Sequence, residues 1–295
     1  LPYDTAEQVQ ATEAVLLTGL PAPDSLNDVE TAALIGSARG FETLARTVRA
    51  KKLPPLGERT WDLLRWAATA QRTATDPRSA LTRRLAMAAL GTGNQATTSV
   101  IERGLNDSDA EVRRFAAVAA FSDARLDERE RVIKIALADK EPRVRLEALR
   151  AWGRHFQKTS CAPIRAALKD ANPHVMLQAI DQLRAPCPAA DSPAAELTAI
   201  VATLSATPRT WHAPAHALEA LARVQPEAAR AALPKFVTHP TWQVRMYAAR
   251  AANILPSIAD LNTLMTDPND NVREAAVSAL IEDGVSDFVV YVDPN

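Results

Sequence analysis

One pattern returns along the chain and restricts its fold more than any other feature. The segment DSDAEVRRFAAVAA, with Val112 and Arg113, recurs as DKEPRVRLEALRAW, with Val144 and Arg145. It recurs again as HPTWQVRMYAARAA, with Val244 and Arg245, and as DPNDNVREAAVSAL, with Val272 and Arg273. Self-similarity at a period of about 30 residues marks a stack of small helical units, none of which can bury its apolar face alone.

Taking the valine position as an anchor gives seven units, at Thr82, Val112, Val144, Val175, Ala213, Val244 and Val272. The spacings are 30, 32, 31, 38, 31 and 28 residues. Alanine stands four places after every anchor: Ala86, Ala116, Ala148, Ala179, Ala217, Ala248 and Ala276. Residues four apart share a helix face, and a methyl group there lets the next unit approach closely. Polar turns precede most anchors, as in Asn106–Asp109, Asp139–Pro142, Asp170–Pro173 and Asp267–Asp270. Asp and Asn cap helix starts, and Pro fits a first turn that needs no N–H.

Each unit therefore reads as two antiparallel helices. Second helices are expected at 78–91, 109–122, 142–155, 173–184, 210–223, 241–253 and 270–281, and first helices at 95–105, 127–138, 160–169, 193–205, 227–237 and 257–266. The N-terminal third is less regular, with helices expected at 5–19, 26–37, 41–52 and 58–73 and a break at Leu53–Gly57. Residues 185–193 are an insertion, either a plain long loop or a bend, the loop being the simpler reading. Residues 285–295 are β-type, a tail strand or the start of a further domain. The expected fold class is all-α, an α-α superhelix (solenoid) of about seven to nine helix pairs. It forms one domain over 1–281, with an irregular cap over 1–77, regular repeats over 78–281 and a tail over 282–295.

The rest of the composition sets limits. Hydrophobic residues are 47% and charged residues 23%, a folded composition. A net charge of -1 argues against a broad nucleic-acid surface. Cys161 and Cys187 form no CxxC pair and no zinc framework; each reads as a small apolar filler, with a disulfide left open. No apolar run is long enough for a membrane span. The chain begins at Leu1, which is consistent with removal of a signal peptide, a tag or a preceding domain, so the compartment is open between cytoplasm and periplasm or secretion.

Two-helix units of about 31 residues, with Asp in the turn and Val-Arg opening the second helix, resemble HEAT repeats. More narrowly they resemble the short HEAT-like repeats of the phycobilisome lyases, found in many bacterial proteins. The resemblance covers roughly residues 78–281 and, more weakly, 26–73. It implies a ladder between successive turns, made by Asp107, Asp139, Asp170 and Asp267 with Arg113, Arg145, Arg245 and Arg273. Met176 and Pro214 stand where the arginine should be, so the ladder should be interrupted there.

A solenoid presents its second helices on the concave side, as a surface suited to a partner. The exposed candidates there are Arg114, Glu147, Arg150, His174, Gln178, Trp211, His212, Trp242, Tyr247 and Arg250. Trp211 and Trp242 suit an interface hot spot, although filling space between turn and helix is the plainer reading. His212 and His216 lie one helical turn apart with Glu219 beyond, but Pro214 intervenes and no third ligand is suggested, so no metal site or cofactor is expected. No phosphate loop, nucleophile elbow or acid–base set is present. The expected function is a non-enzymatic protein- or peptide-binding scaffold, as a monomer or a module of a larger chain. The alternatives are a lyase or other enzyme subunit on the same array, or a helical-repeat nucleic-acid binder.

Overall fold

A computed structural model describes residues 5–20, 28–69, 77–122, 128–205 and 210–282. These residues form sixteen α-helices and no strand. The expected β-type tail lies outside them. The chain divides into two compact units, Leu1–Trp152 and Gly153–Asn295.

The first unit holds α1 (Ala6–Leu17), α2 (Asp28–Lys51), α3 (Glu58–Thr69), α4 (Pro77–Gly93), α5 (Thr98–Leu105), α6 (Ala110–Ser122), α7 (Arg129–Leu137) and most of α8 (Pro142–His155). One layer runs α2, α4, α6, and a second runs α3, α5, α7. The second unit holds α9 (Ala162–Ala167), α10 (Pro173–Gln182), α11 (Ala194–Val201), α12 (His212–Val224), α13 (Pro226–Val237), α14 (Trp242–Ile254), α15 (Ile258–Met265) and α16 (Asp270–Glu282). Here α10, α12, α14 and α16 pack side by side, and α11, α13 and α15 form the other layer.

Residues 28–51 are one helix, where the sequence suggested two separated near Gly40. Gly40 stays helical because it is a contact point: a Cβ there would lie 2.6 Å from Leu16 Cδ1 of α1. Glu13 of α1 accepts from the Gly57 N–H and the Thr60 hydroxyl, tying the first helix to the Leu53–Gly57 break.

The alanine column behaves as its spacing requires. Ala86, Ala116, Ala148, Ala179, Ala217, Ala248 and Ala276 are all at most 1% exposed. A Cβ added at Gly104 of α5 would fall 2.8 Å from Ala116 Cβ, so at that crossing even two methyl groups do not fit.

The turns share one device. Asp107, Asp139, Asp170 and Asp267 each accept, through Oδ1, from the backbone N–H two residues on, in every case at 2.8 Å. Such a side-chain turn prepares the start of the second helix. His239 replaces Asp in the turn before α14: its Nδ1 accepts from the Thr241 N–H at 3.1 Å.

An arginine then locks turn to turn. Arg113 donates through Nη1 to the Asp107 and Ser108 carbonyls of its own turn, and through Nε and Nη2 to both carboxylate oxygens of Asp139 in the next. Arg245 does the same with the His239 and Pro240 carbonyls and with Asp267. Arg145 and Arg273 clasp their own turns, at Asp139 and Lys140 and at Asp267. The ladder has a further rung, one unit before those the resemblance implies. Arg83, which follows the first anchor, donates to Asp107 from a side chain 4% exposed. The hydrogen bond from Arg245 holds the Asp267 carboxyl below the usual carboxylate range, against the opposing effect of burial.

The cysteines are a correction. Cys161 and Cys187 are joined, with Cα atoms 5.7 Å apart. They are not two separate fillers: the bond ties the 185–193 insertion to the start of α9. Asp191, in a short 3-10 turn within that insertion, reinforces it by accepting from the Ser160 hydroxyl and the Cys161 N–H. Closing a loop across a separation of 26 residues stabilises by about 3–4 kcal/mol on the chain-entropy account.

Asp139→Ala leaves the buried Arg113 guanidinium with carbonyl partners alone. It is expected to cost about 3 kcal/mol in urea unfolding. Glu111→Ala, which removes a half-exposed partner of Arg114 and Arg143, is expected to cost under about 1 kcal/mol. Equal losses from the two would show that the ladder is no more than a surface ion pair.

Candidate functional site

Counting from the anchors explains which side chains meet on the second helices. Gln178, His216 and Tyr247 are each three places after an anchor, and Asp181, Glu219 and Arg250 are each six places after. Positions three apart lie on one helix face. Because α10, α12 and α14 pack side by side in register, these positions form a continuous strip.

A hydrogen-bonded relay crosses that strip. Asp181 Oδ1 lies 2.7 Å from His216 Nδ1, and His216 Nε2 lies 2.6 Å from the Tyr247 hydroxyl. With Nδ1 carrying the proton, His216 donates to the carboxylate and accepts from the phenol, which satisfies both ring nitrogens. Arg184 adds a second tie, to Asp181 at 2.6 Å and to Glu219 Oε1 at 3.2 Å. Burial raises the Asp181 pKa, but the hydrogen bond from His216 and the positive charge of Arg184 beside it hold the carboxyl below its usual range. Burial pushes the Tyr247 phenol up. The relay ties three helices together, with Tyr247 buried at one end and the partly exposed Asp181 at the other.

Aromatic and cationic groups sit over this tie. Trp211 stacks on His212, with ring centroids 3.9 Å apart and planes at 18°, and approaches Tyr247 at 6.2 Å. The exposed Arg250 guanidinium lies 5.0 Å from the centre of the Tyr247 ring. On its own helix Tyr247 falls at a position expected to be an exposed contact. It is instead the buried support beneath Trp211 and Arg250, because its hydroxyl finds a partner in the neighbouring helix.

The remaining candidates are more dispersed. Trp242 is half-buried at the start of α14 and Gln178 half-buried on α10, while His174 is exposed near the start of α10. In the first unit, Arg114, Glu147 and Arg150 come together. Glu147 faces Arg150 at 3.4 Å and Arg114 at 3.9 Å, and the Arg114 guanidinium lies 4.3 Å from the Phe115 ring centre. Asp181 and Arg184 are not singled out by the sequence, and His216 and Glu219 are met there only as a metal-ligand spacing that is set aside. For Asp181 and Glu219 the signal lies in the column six places after the anchors, read down the repeats; Arg184, nine places after its anchor, lies in neither column.

Between α12, α14 and α16 the same face opens into a groove of about 490 Å³, with Glu219, Met246, Arg250 and Glu274 among its walls. Among the described residues no group of three or more His, Cys, Asp or Glu side chains is placed to hold a metal ion. No described helix is long and apolar enough to cross a membrane.

Residues 198–281 match the family model for HEAT repeats. No curated protein matches the chain. Among solved structures, Kap95p from its complex with RanGDP aligns with 93% of this chain at 14% identity and a TM-score of 0.51. Yeast importin-β (Kap95p) aligns with 94% at 12% identity and a TM-score of 0.48, and human deoxyhypusine hydroxylase with 94% at 18% identity and 0.31. The likeness is one of fold, a HEAT/armadillo-type helical stack, and the chain spans 40% of the Kap95p chain in the first of these.

Asp181 generates a pH prediction. A carboxyl whose pKa is lowered by folding stabilises the native state above its unfolded value, and that contribution is lost as pH falls through the lower native value. Thermal stability is therefore expected to decline on acidification through and below the usual carboxylate range, and Asp181→Asn should make the decline shallower. Tyr247→Phe, which deletes one buried hydrogen bond, should cost about 1 kcal/mol at neutral pH. An acid profile unchanged in Asp181→Asn would remove Asp181 from the account.

Proposed function

We propose that the second-helix face of residues 173–282 is a protein-binding surface and that the chain acts as a non-enzymatic scaffold or accessory module. One observation carries this reading: Trp211, stacked on His212, and Arg250 both pack against Tyr247, which the relay to His216 and Asp181 anchors. Trp and Arg are over-represented in interface hot spots. Side chains already ordered before binding lose less conformational freedom when a partner docks. Extended helical-repeat faces suit such partners, and the Kap95p chain of similar fold is itself seen bound to a protein, RanGDP.

The Cys161–Cys187 bond supports a compartment that is oxidising toward thiols, periplasmic or secreted, over the cytoplasm. Protein taken from its native host and alkylated without reduction should show both cysteines protected. Alkylation of both would return the protein to a reducing compartment.

Affinity capture from host extract, followed by cross-linking, tests the surface. A partner held by the wild-type chain should be lost or weakened by about tenfold or more with Trp211→Ala and Arg250→Ala, and the folded fraction seen by circular dichroism should not change. Undiminished binding by both variants would overturn this choice of face.

A further inference from the structure

Two arginines of the second unit have no carboxylate to answer them. From residue 165 onward, the described Arg165, Arg184, Arg230, Arg245 and Arg273 each pair with an Asp or Glu side chain. Arg223 of α12 and Arg250 of α14 pair with none among the described residues, and Arg250 lies against the Tyr247 ring. Both side chains are exposed, and both line the groove between α12, α14 and α16.

The walls around them narrow the chemistry. Arg223 and Ile254 also line a second groove of about 600 Å³, so the two grooves adjoin at these residues. The second groove has Pro186, Pro188 and Pro193 of the insertion on one bank and Val224 and Pro226 on the other, and no acidic side chain lines it. The Cys161–Cys187 bond and the hydrogen bonds to Asp191 fix the insertion bank. Two acids line the first groove. Glu219 is already spent: its Oε1 pairs with Arg184, and its Oε2 is shut off from solvent without a hydrogen-bond partner. Glu274 is exposed and repels a ligand of high negative charge. Two exposed cations against one exposed anion leave one positive charge over, which suits a single carboxylate and not a polyphosphate chain. An exposed ion pair is weak by itself, so the apolar banks have to supply part of the hold.

We propose that this trough binds an extended acidic segment of a partner protein. One Asp or Glu carboxylate is taken up by Arg223 and Arg250, and the apolar residues beside it lie on Met246, Ile254 and the proline bank. The proposal rests on the protein-binding reading and adds the chemistry of the partner.

The test uses the full chain with its methionine methyl groups labelled. The chain has four methionines, and of these Met246 lines the groove. The probe is the peptide acetyl-Ala-Leu-Glu-Leu-Ala-amide, compared with the same peptide carrying Gln in place of Glu. The Glu peptide is expected to shift the Met246 methyl resonance saturably, and the Gln peptide to bind about fivefold more weakly. Raising salt from about 0.02 M to about 0.5 M should weaken the Glu peptide and spare the Gln peptide. Arg223→Gln should weaken the Glu peptide by about threefold or more, whereas Glu274→Gln, which removes the repelling charge, should tighten it. Ala189→Trp fills the second groove from an exposed position and should weaken both peptides.

Equal affinity of the two peptides, weaker Glu-peptide binding by Glu274→Gln, or a Met246 signal that does not move would overturn the proposal. So would binding that emerges only in the triple variant Asp283→Asn, Asp287→Asn and Asp293→Asn, because the chain's own acidic tail would then be the occupant. A host partner lost with Trp211→Ala and fully retained with Arg223→Gln would sink this proposal and leave the protein-binding reading standing. Glu-dependent peptide binding with no host protein retained would keep the carboxylate site and overturn the wider reading alone.

Discussion

Where the arginine after an anchor reaches the next turn, as Arg83, Arg113 and Arg245 do, it holds the stacking register on which the neighbouring helices depend. A helix pair cannot bury its apolar face by itself, so it must meet its neighbour at one defined offset. Hydrophobic contact alone is non-directional and tolerates sliding. The Arg113–Asp139 and Arg245–Asp267 pairs do not tolerate it, since each guanidinium donates at once to its own turn and to the next. Buried ion pairs of this kind contribute modestly to net stability and are costly to break. Their use here is to select one offset among many.

Once the offset is set, the other columns come into register too. The alanines four places after the anchors meet the neighbouring layer at close range, as at Ala116 and Gly104. The polar residues three and six places after the anchors line up across α10, α12 and α14. Where Met176 and Pro214 interrupt the arginine column, the Asp181–His216–Tyr247 relay and the Arg184 bridge join the same helices by another route. A hydrogen-bonded polar cluster of the second unit thus lies beside the break in the repeat, with Trp211 and Arg250 packed against its Tyr247.

Much of this was legible in the sequence, and the reasons are local. Helix starts follow from Asp, Asn and Pro in the turns, because capping is settled within three or four residues. The expected second helix at 142–155 and the observed α8 coincide, and most other boundaries differ by a residue or two. The failures involve distance. Gly40 reads locally as a helix breaker, yet it serves a contact with Leu16 of another helix. His239 does not look like a turn aspartate until its Nδ1 is seen to accept the Thr241 N–H. Tyr247 reads as exposed on its own helix and is buried by its neighbour.

The sequence by itself determined the period, the two-helix unit and the alanine column, since each follows from residues within a turn or two of one another or from repetition along the chain; the ladder came from the resemblance to HEAT repeats. Tertiary structure alone decided that Cys161 meets Cys187, that Asp181, His216 and Tyr247 form one relay, and that Glu219 is buried with one oxygen unanswered. Those outcomes depend on how far successive units are rotated and shifted against each other. That relation is set by the summed packing of whole helix faces, and no short segment of sequence encodes it.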